Sequence, residues 1–170
     1  MKMPRALVCA LICSFLVALA SCVPHRGSSH EVATDLHNYT VELQKWEDKE
    51  KAIFQAIGDL EESQYVDDDF VLRTLKGALP TLSEHVKEVA AYRPATVEVA
   101  TLHDRYRKGW EDLREGFDAM IAAEARKDYL ALAKAKSQMT AARGALLKAI
   151  TNMDALMEEN DEALKNLHKS

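Results

Sequence analysis

Apolar residues recur at steps of three and four through most of residues 31–167, a spacing that commits the chain to long helices. The first stripe is Leu36, Tyr39, Leu43, Trp46, Ile53, Ile57 and Leu60, with Glu42, Lys45, Lys49 and Glu61 on the opposite face. A second runs through Leu72, Leu75, Leu79, Leu82, Val86 and Val89. The third is Val99, Leu102, Tyr106, Trp110, Leu113, Phe117, Met120 and Ile121. The fourth is Met139, Ala142, Leu146, Ile150, Met153, Leu156 or Met157, Leu164 and Leu167. No run of β-branched residues alternates strictly, so no strand pattern competes. The expectation is an all-α fold: an elongated antiparallel up-down bundle of about four long helices. A 30-residue helix would be about 45 Å long.

Local signals place the helix ends. Ser28 or Ser29 can cap a first helix over about 31–64. Asp67-Asp68-Asp69 suits the positive end of a second. A calcium loop is disfavoured there, because no D-x-[DN]-x-[DN]-G pattern follows. Pro80 predicts a kink or short break near Gly77 to Leu79. Arg93-Pro94 marks the next boundary and puts a third helix at about 94–126. Gly109 and Gly116, seven residues apart, would admit a close neighbour. The fourth helix is expected over about 128–167, capped by Asp128. Neither Gly nor Pro marks Lys127, so one helix of about 70 residues is the alternative. Ala-rich sequence early in the fourth helix would pack closely on the aromatic-rich third.

The first 22 residues follow a different plan. Lys2 and Arg5 precede an apolar run from Ala6 to Leu19, and small residues follow, which is the layout of a secretory signal peptide. A retained anchor would need about 20 apolar residues, and the run is shorter. Ala18-Leu19-Ala20 also fits ordinary cleavage after Ala20, which would leave Cys22 as a free thiol.

Leu19-Ala20-Ser21-Cys22 resembles the lipobox of bacterial lipoproteins. The resemblance implies cleavage before Cys22, a diacylglyceryl thioether on its sulfur and an acyl chain on the new amine. Several chains on one cysteine hold a protein firmly to a bilayer, at about 0.8 kcal/mol per buried methylene. The implied organisation is a signal peptide over 1–21, a lipidated flexible tether over 22–30 and a helical bundle domain over 31–170. Val23, rather than Asp, after the lipidated residue implies the outer membrane over the inner. Only residues 1–22 carry this specific match; the remainder is similar to small helical bacterial lipoproteins in architecture alone.

Cysteines and charge agree with that reading. Cys9 and Cys13 lie in the signal segment and Cys22 is the lipid site, so no thiol remains for a disulfide, metal or nucleophile. Once Lys2 and Arg5 are removed, 20 basic residues face 27 acidic ones, a formal charge of −7. That balance argues against nucleic acid as a partner and leaves the lipid as the membrane contact.

Catalytic patterns are missing from the sequence. It has no H-E-x-x-H, phosphate-binding Gly loop, G-x-S-x-G or Glu-x-x-His pair. Glu50 alone interrupts the first stripe. It is either a functional buried carboxylate or a residue at the stripe's edge, where a helix drifts by about 20° per heptad; the drift favours the edge. His25, His30 and His37 could bind a metal weakly, but solvated histidines are commoner. Glu84-His85 and His103-Asp104 are neighbours whose side chains diverge on a helix. No enzyme activity, cofactor or metal is expected. The expected function is an envelope lipoprotein whose helical body binds or scaffolds another envelope protein. The alternative is a carrier or sensor for a small apolar ligand, haem or metal, with Trp46, Trp110, Tyr106 and Phe117 lining a pocket.

Overall fold

In a computed structural model of the chain, the described residues are 23–62 and 68–167. Cys22, the expected lipid site, and the expected signal peptide over 1–21 lie outside them. All described regular structure is helical: α1 (Ser29–Glu62), α2 (Asp68–Ala91), α3 (Val97–Ala125), α4 (Tyr129–Glu159) and α5 (Asp161–Leu167). No described helix is long and apolar enough to cross a membrane.

Ser28 caps α1 reciprocally with Glu31. The Glu31 carboxylate accepts from the Ser28 amide and hydroxyl, each at 2.8 Å, and the Glu31 amide points back at Ser28 Oγ at 3.4 Å. Residues 25–28, expected to belong to a free tether, are tied down. The His25 amide donates to the Ala95 carbonyl (3.2 Å), and the Val97 amide donates to the His25 carbonyl (2.8 Å). A Cβ on Gly27 would come within 2.8 Å of Thr96, so this close docking needs glycine.

α2 is helical throughout, without the break expected at Pro80. Pro80 and Lys76, one turn back, are both exposed. The carbonyl that loses its donor therefore lies on the wet face, where water can replace the bond.

α3 begins at Val97 rather than at Pro94 because the preceding link is held extended. Asp35 of α1, 5% exposed, accepts from the Ala95 amide (3.0 Å), the Thr96 amide (2.8 Å) and the Thr96 hydroxyl (2.8 Å). The α3–α4 boundary at Lys127 is a tight turn. The Asp128 amide reaches the Ala123 carbonyl and the Lys127 amide the Glu124 carbonyl, both at 3.0 Å, with Lys127 in the left-handed region at φ 55°. Asp128 then caps α4 through the Ala131 amide at 3.0 Å.

α4 stops at Glu159 instead of running on to Leu167. Asn160 ends it, with its side chain donating to the Leu156 carbonyl at 2.9 Å. Its own carbonyl accepts from Leu164 and starts α5, which turns back onto α1.

The contacts give each pair of helices a direction. Lys49 meets Glu84 while Tyr39 meets Tyr92, so α1 and α2 run oppositely. His85 meets Trp110 while Tyr92 meets His103, so α2 and α3 also reverse. Gly109 faces Leu146 and Gly116 faces Met139, so α3 and α4 reverse as well. The expected role of the two glycines is what the structure contains. The buried face of α4 is Ala135, Met139, Ala142, Leu146 and Ala149. Ile150, expected to point inward, is 40% exposed, because the small Ala149 takes the inner position against α3.

Candidate functional site

Aromatic rings at helical spacing on three elements fill the middle of the core. Trp46 of α1 stacks on Tyr106 of α3, with ring centres 6.3 Å apart and 14° between planes. His85 of α2 presses edge-on against Trp110 at 4.3 Å and lies 5.9 Å from Trp46. Sequence spacing explains its position: Leu82, His85 and Val89 are one step of three and one of four, so the imidazole occupies a core site. Its neighbour Glu84 points to the surface and pairs with Lys49. His103 is likewise buried while Asp104 is exposed, so the members of each adjacent pair point apart; burial lowers His103, and Asp104 opposes that only through its charge.

Glu50 closes this cluster on the side facing α4. Its Oε1 accepts a short hydrogen bond from the Tyr106 hydroxyl and lies 3.6 Å from His85 Nε2, too far for a hydrogen bond. Neither ring nitrogen of His85 has a hydrogen-bond partner, and the ring is fully buried. Burial raises the Glu50 carboxyl above its ordinary value, against the opposing pull of the Tyr106 hydroxyl. Burial, helped by nearby Lys49, lowers His85 to about 4. Burial also raises the phenols of Tyr39 and Tyr106, which stay protonated.

These shifts act in opposite senses on stability. Between about pH 4 and 6.5 the unfolded chain protonates His85 and the native chain does not, so stability rises with pH by on the order of 2–3 kcal/mol. Glu50 stays protonated longer in the native chain, so its contribution falls as pH rises above 4.5. Urea midpoints measured from pH 4.5 to 7 are expected to climb. Glu50→Gln should steepen the climb, and His85→Phe should flatten it.

Beyond Glu50 lies a groove of about 430 Å³ between α1, α3 and α4, lined by Tyr39, Leu43, Leu102, Tyr106, Ile150 and Met153 among others. A second, of about 410 Å³, continues the same seam between Ile57 and Leu60 of α1 and Tyr129, Leu132 and Met139 of α4. The seam is open because α4 packs closely on α3 and not on α1. Tyr129 and Ile150, both exposed, line it from α4.

Of the expected pocket aromatics, Tyr106 borders the first groove; Trp46, Trp110 and Phe117 are core. His30 and His37 are exposed, and His25 lies 3.5 Å from Glu31. Among the described residues, no three His, Cys, Asp or Glu side chains gather as metal ligands. Of the buried polar residues, His85 is singled out in the sequence only as the diverging neighbour of Glu84, and Asp35 is not singled out at all. The spacing of the second stripe could have found His85, whereas nothing near Asp35 announces its distant partners.

No family model, characterised protein or solved structure matches the chain.

Proposed function

We propose that this chain is a membrane-anchored envelope lipoprotein, held by lipid on Cys22, with a non-catalytic helical body that binds another envelope protein. The lipobox supports the anchor, and Val23 after it supports placement at the outer membrane. The helix reversals support an elongated up-down bundle of four long helices, with α5 folded back at one end. The observation that carries the binding role is the open α1–α4 seam, whose apolar flank on α4 is left without a helix against it. Radiolabelled palmitate is expected to enter the wild-type chain and not Cys22→Ala. A photocrosslinker at Ile150, exposed on the seam, should yield an adduct in cells, and one at the exposed Arg73 of α2 should not. Equal labelling of both cysteine forms would end the anchor reading, and equal adducts at both sites would end the seam reading.

The groove over Glu50 favours a second reading, a carrier or sensor for a small apolar ligand. Its walls are mainly apolar, and its volume suits one small molecule.

A further inference from the structure

The chemistry around Glu50 narrows the ligand of that second reading, on which this inference rests. A carboxylate in an apolar recess is costly unless a donor or cation meets it. Tyr106 supplies one hydroxyl to Oε1. Among the described residues, no lysine or arginine pairs with Glu50. Lys49 next to it turns the other way, to Glu84 at 2.9 Å and Glu88 at 2.5 Å, and Lys51 pairs with Glu47 at 2.6 Å. The ring of His85 behind it is neutral and sealed in the core.

The groove itself repeats this asymmetry. Two carboxylates, Glu47 and Glu50, border it, and among the described residues no lysine or arginine does. The Tyr39 hydroxyl is already engaged with His103 Nδ1 at 3.2 Å, and the Thr40 hydroxyl with the Leu36 carbonyl at 2.9 Å. What the apolar walls lack is a positive hydrogen-bond donor. A protonated amine placed among Leu43, Leu102, Ile150 and Met153 would meet a Glu50 side chain that is only 20% exposed, where a charge-assisted bond is stronger than in open water. A fatty-acid carboxylate would instead face the like charge of Glu50, since Glu47 is already paired with Lys51.

We propose that the groove over Glu50 binds a small amphiphile carrying one protonated amine on an apolar body. Glu50 would accept from the ammonium while Tyr106 holds the carboxylate in place, and the side chains of α3 and α4 would cover the apolar part.

The test uses the intact chain with octylammonium, 1-octanol and octanoate, each followed by tryptophan fluorescence and calorimetry. Octylammonium is expected to bind at least about tenfold more tightly than octanol, with octanoate weakest. Glu50→Gln should erase the ammonium's advantage and leave octanol unchanged. Ile150→Arg alters an exposed rim position, so it keeps the test alive if the Glu50 variant does not fold; a cation there should abolish octylammonium binding. Equal affinity for octylammonium and octanol would overturn the amine inference while leaving the apolar-carrier reading standing. No binding of any of the three would remove both.

Discussion

Asp35→Ala is expected to lower stability by about 3–5 kcal/mol, read as a fall in the urea midpoint with little change in slope. One carboxylate oxygen, Oδ2, serves the amides of Ala95 and Thr96 and the Thr96 hydroxyl. Removing it orphans three donors, two of them on Thr96, which is 1% exposed, beside a carboxylate that is itself 5% exposed. The loss would spread. The same link receives His25 on one side and starts α3 on the other, so the N-terminal segment should also loosen. Asp35→Asn keeps an acceptor and should lose less than half as much. Equal losses for Ala and Asn would mean that the negative charge, rather than the acceptor, holds the link.

The second large effect belongs to the α3–α4 contact. Gly109→Leu and Gly116→Leu are each expected to destabilise by about 2 kcal/mol, although leucine is the better helix former by roughly 0.7 kcal/mol. Even a Cβ at these positions would approach Leu146 Cδ2 to 2.7 Å and Met139 Cγ to 2.6 Å. Those atoms belong to flexible side chains, so alanine should be nearly neutral: its helix gain offsets a small repacking. A leucine brings three further carbons against the backbone of α4, whose Leu146 and Met139 amide nitrogens already lie 3.5 Å from the would-be Cβ. The double leucine variant, measured by thermal melting, should show roughly the sum of the two losses or more, since both push the same helix away. Stability unchanged by leucine would show that α3 and α4 need not be this close.

Much of the architecture was legible in the residue order, because helices are local. Stripes such as Leu75, Leu82, Val89 and Val99, Leu102, Tyr106, Trp110 specify a buried face through bonds that span four residues. Caps are equally local, which is why Asp128 is legible in the sequence and the first cap is narrowed to Ser28 or Ser29, of which Ser28 makes the bonds. The errors arose where a distant group intervened. α3 starts three residues late because a carboxylate about 60 positions away holds the link extended. Ile150 faces outward because the alanine beside it fits closer against α3. The Asn160 turn, which ends α4 about two turns before the expected stop, is supported by α5 packing onto α1.

The binding features divide along the same line. Glu50 stood out in the sequence as a break in an apolar stripe, and its edge position is what helical drift predicts. Its partners did not stand out. Tyr106 and His85 lie 56 and 35 residues further along the chain, by their numbering, and only the packing of α2 and α3 against α1 brings both rings to the carboxylate. The groove likewise has no sequence signature, since it exists through α4 choosing α3 over α1. Periodicity records which side of a helix is apolar; it carries no record of which neighbour covers that side. That assignment depends on the fit of whole surfaces, such as two glycines set opposite Leu146 and Met139, and is made only when the chain closes on itself.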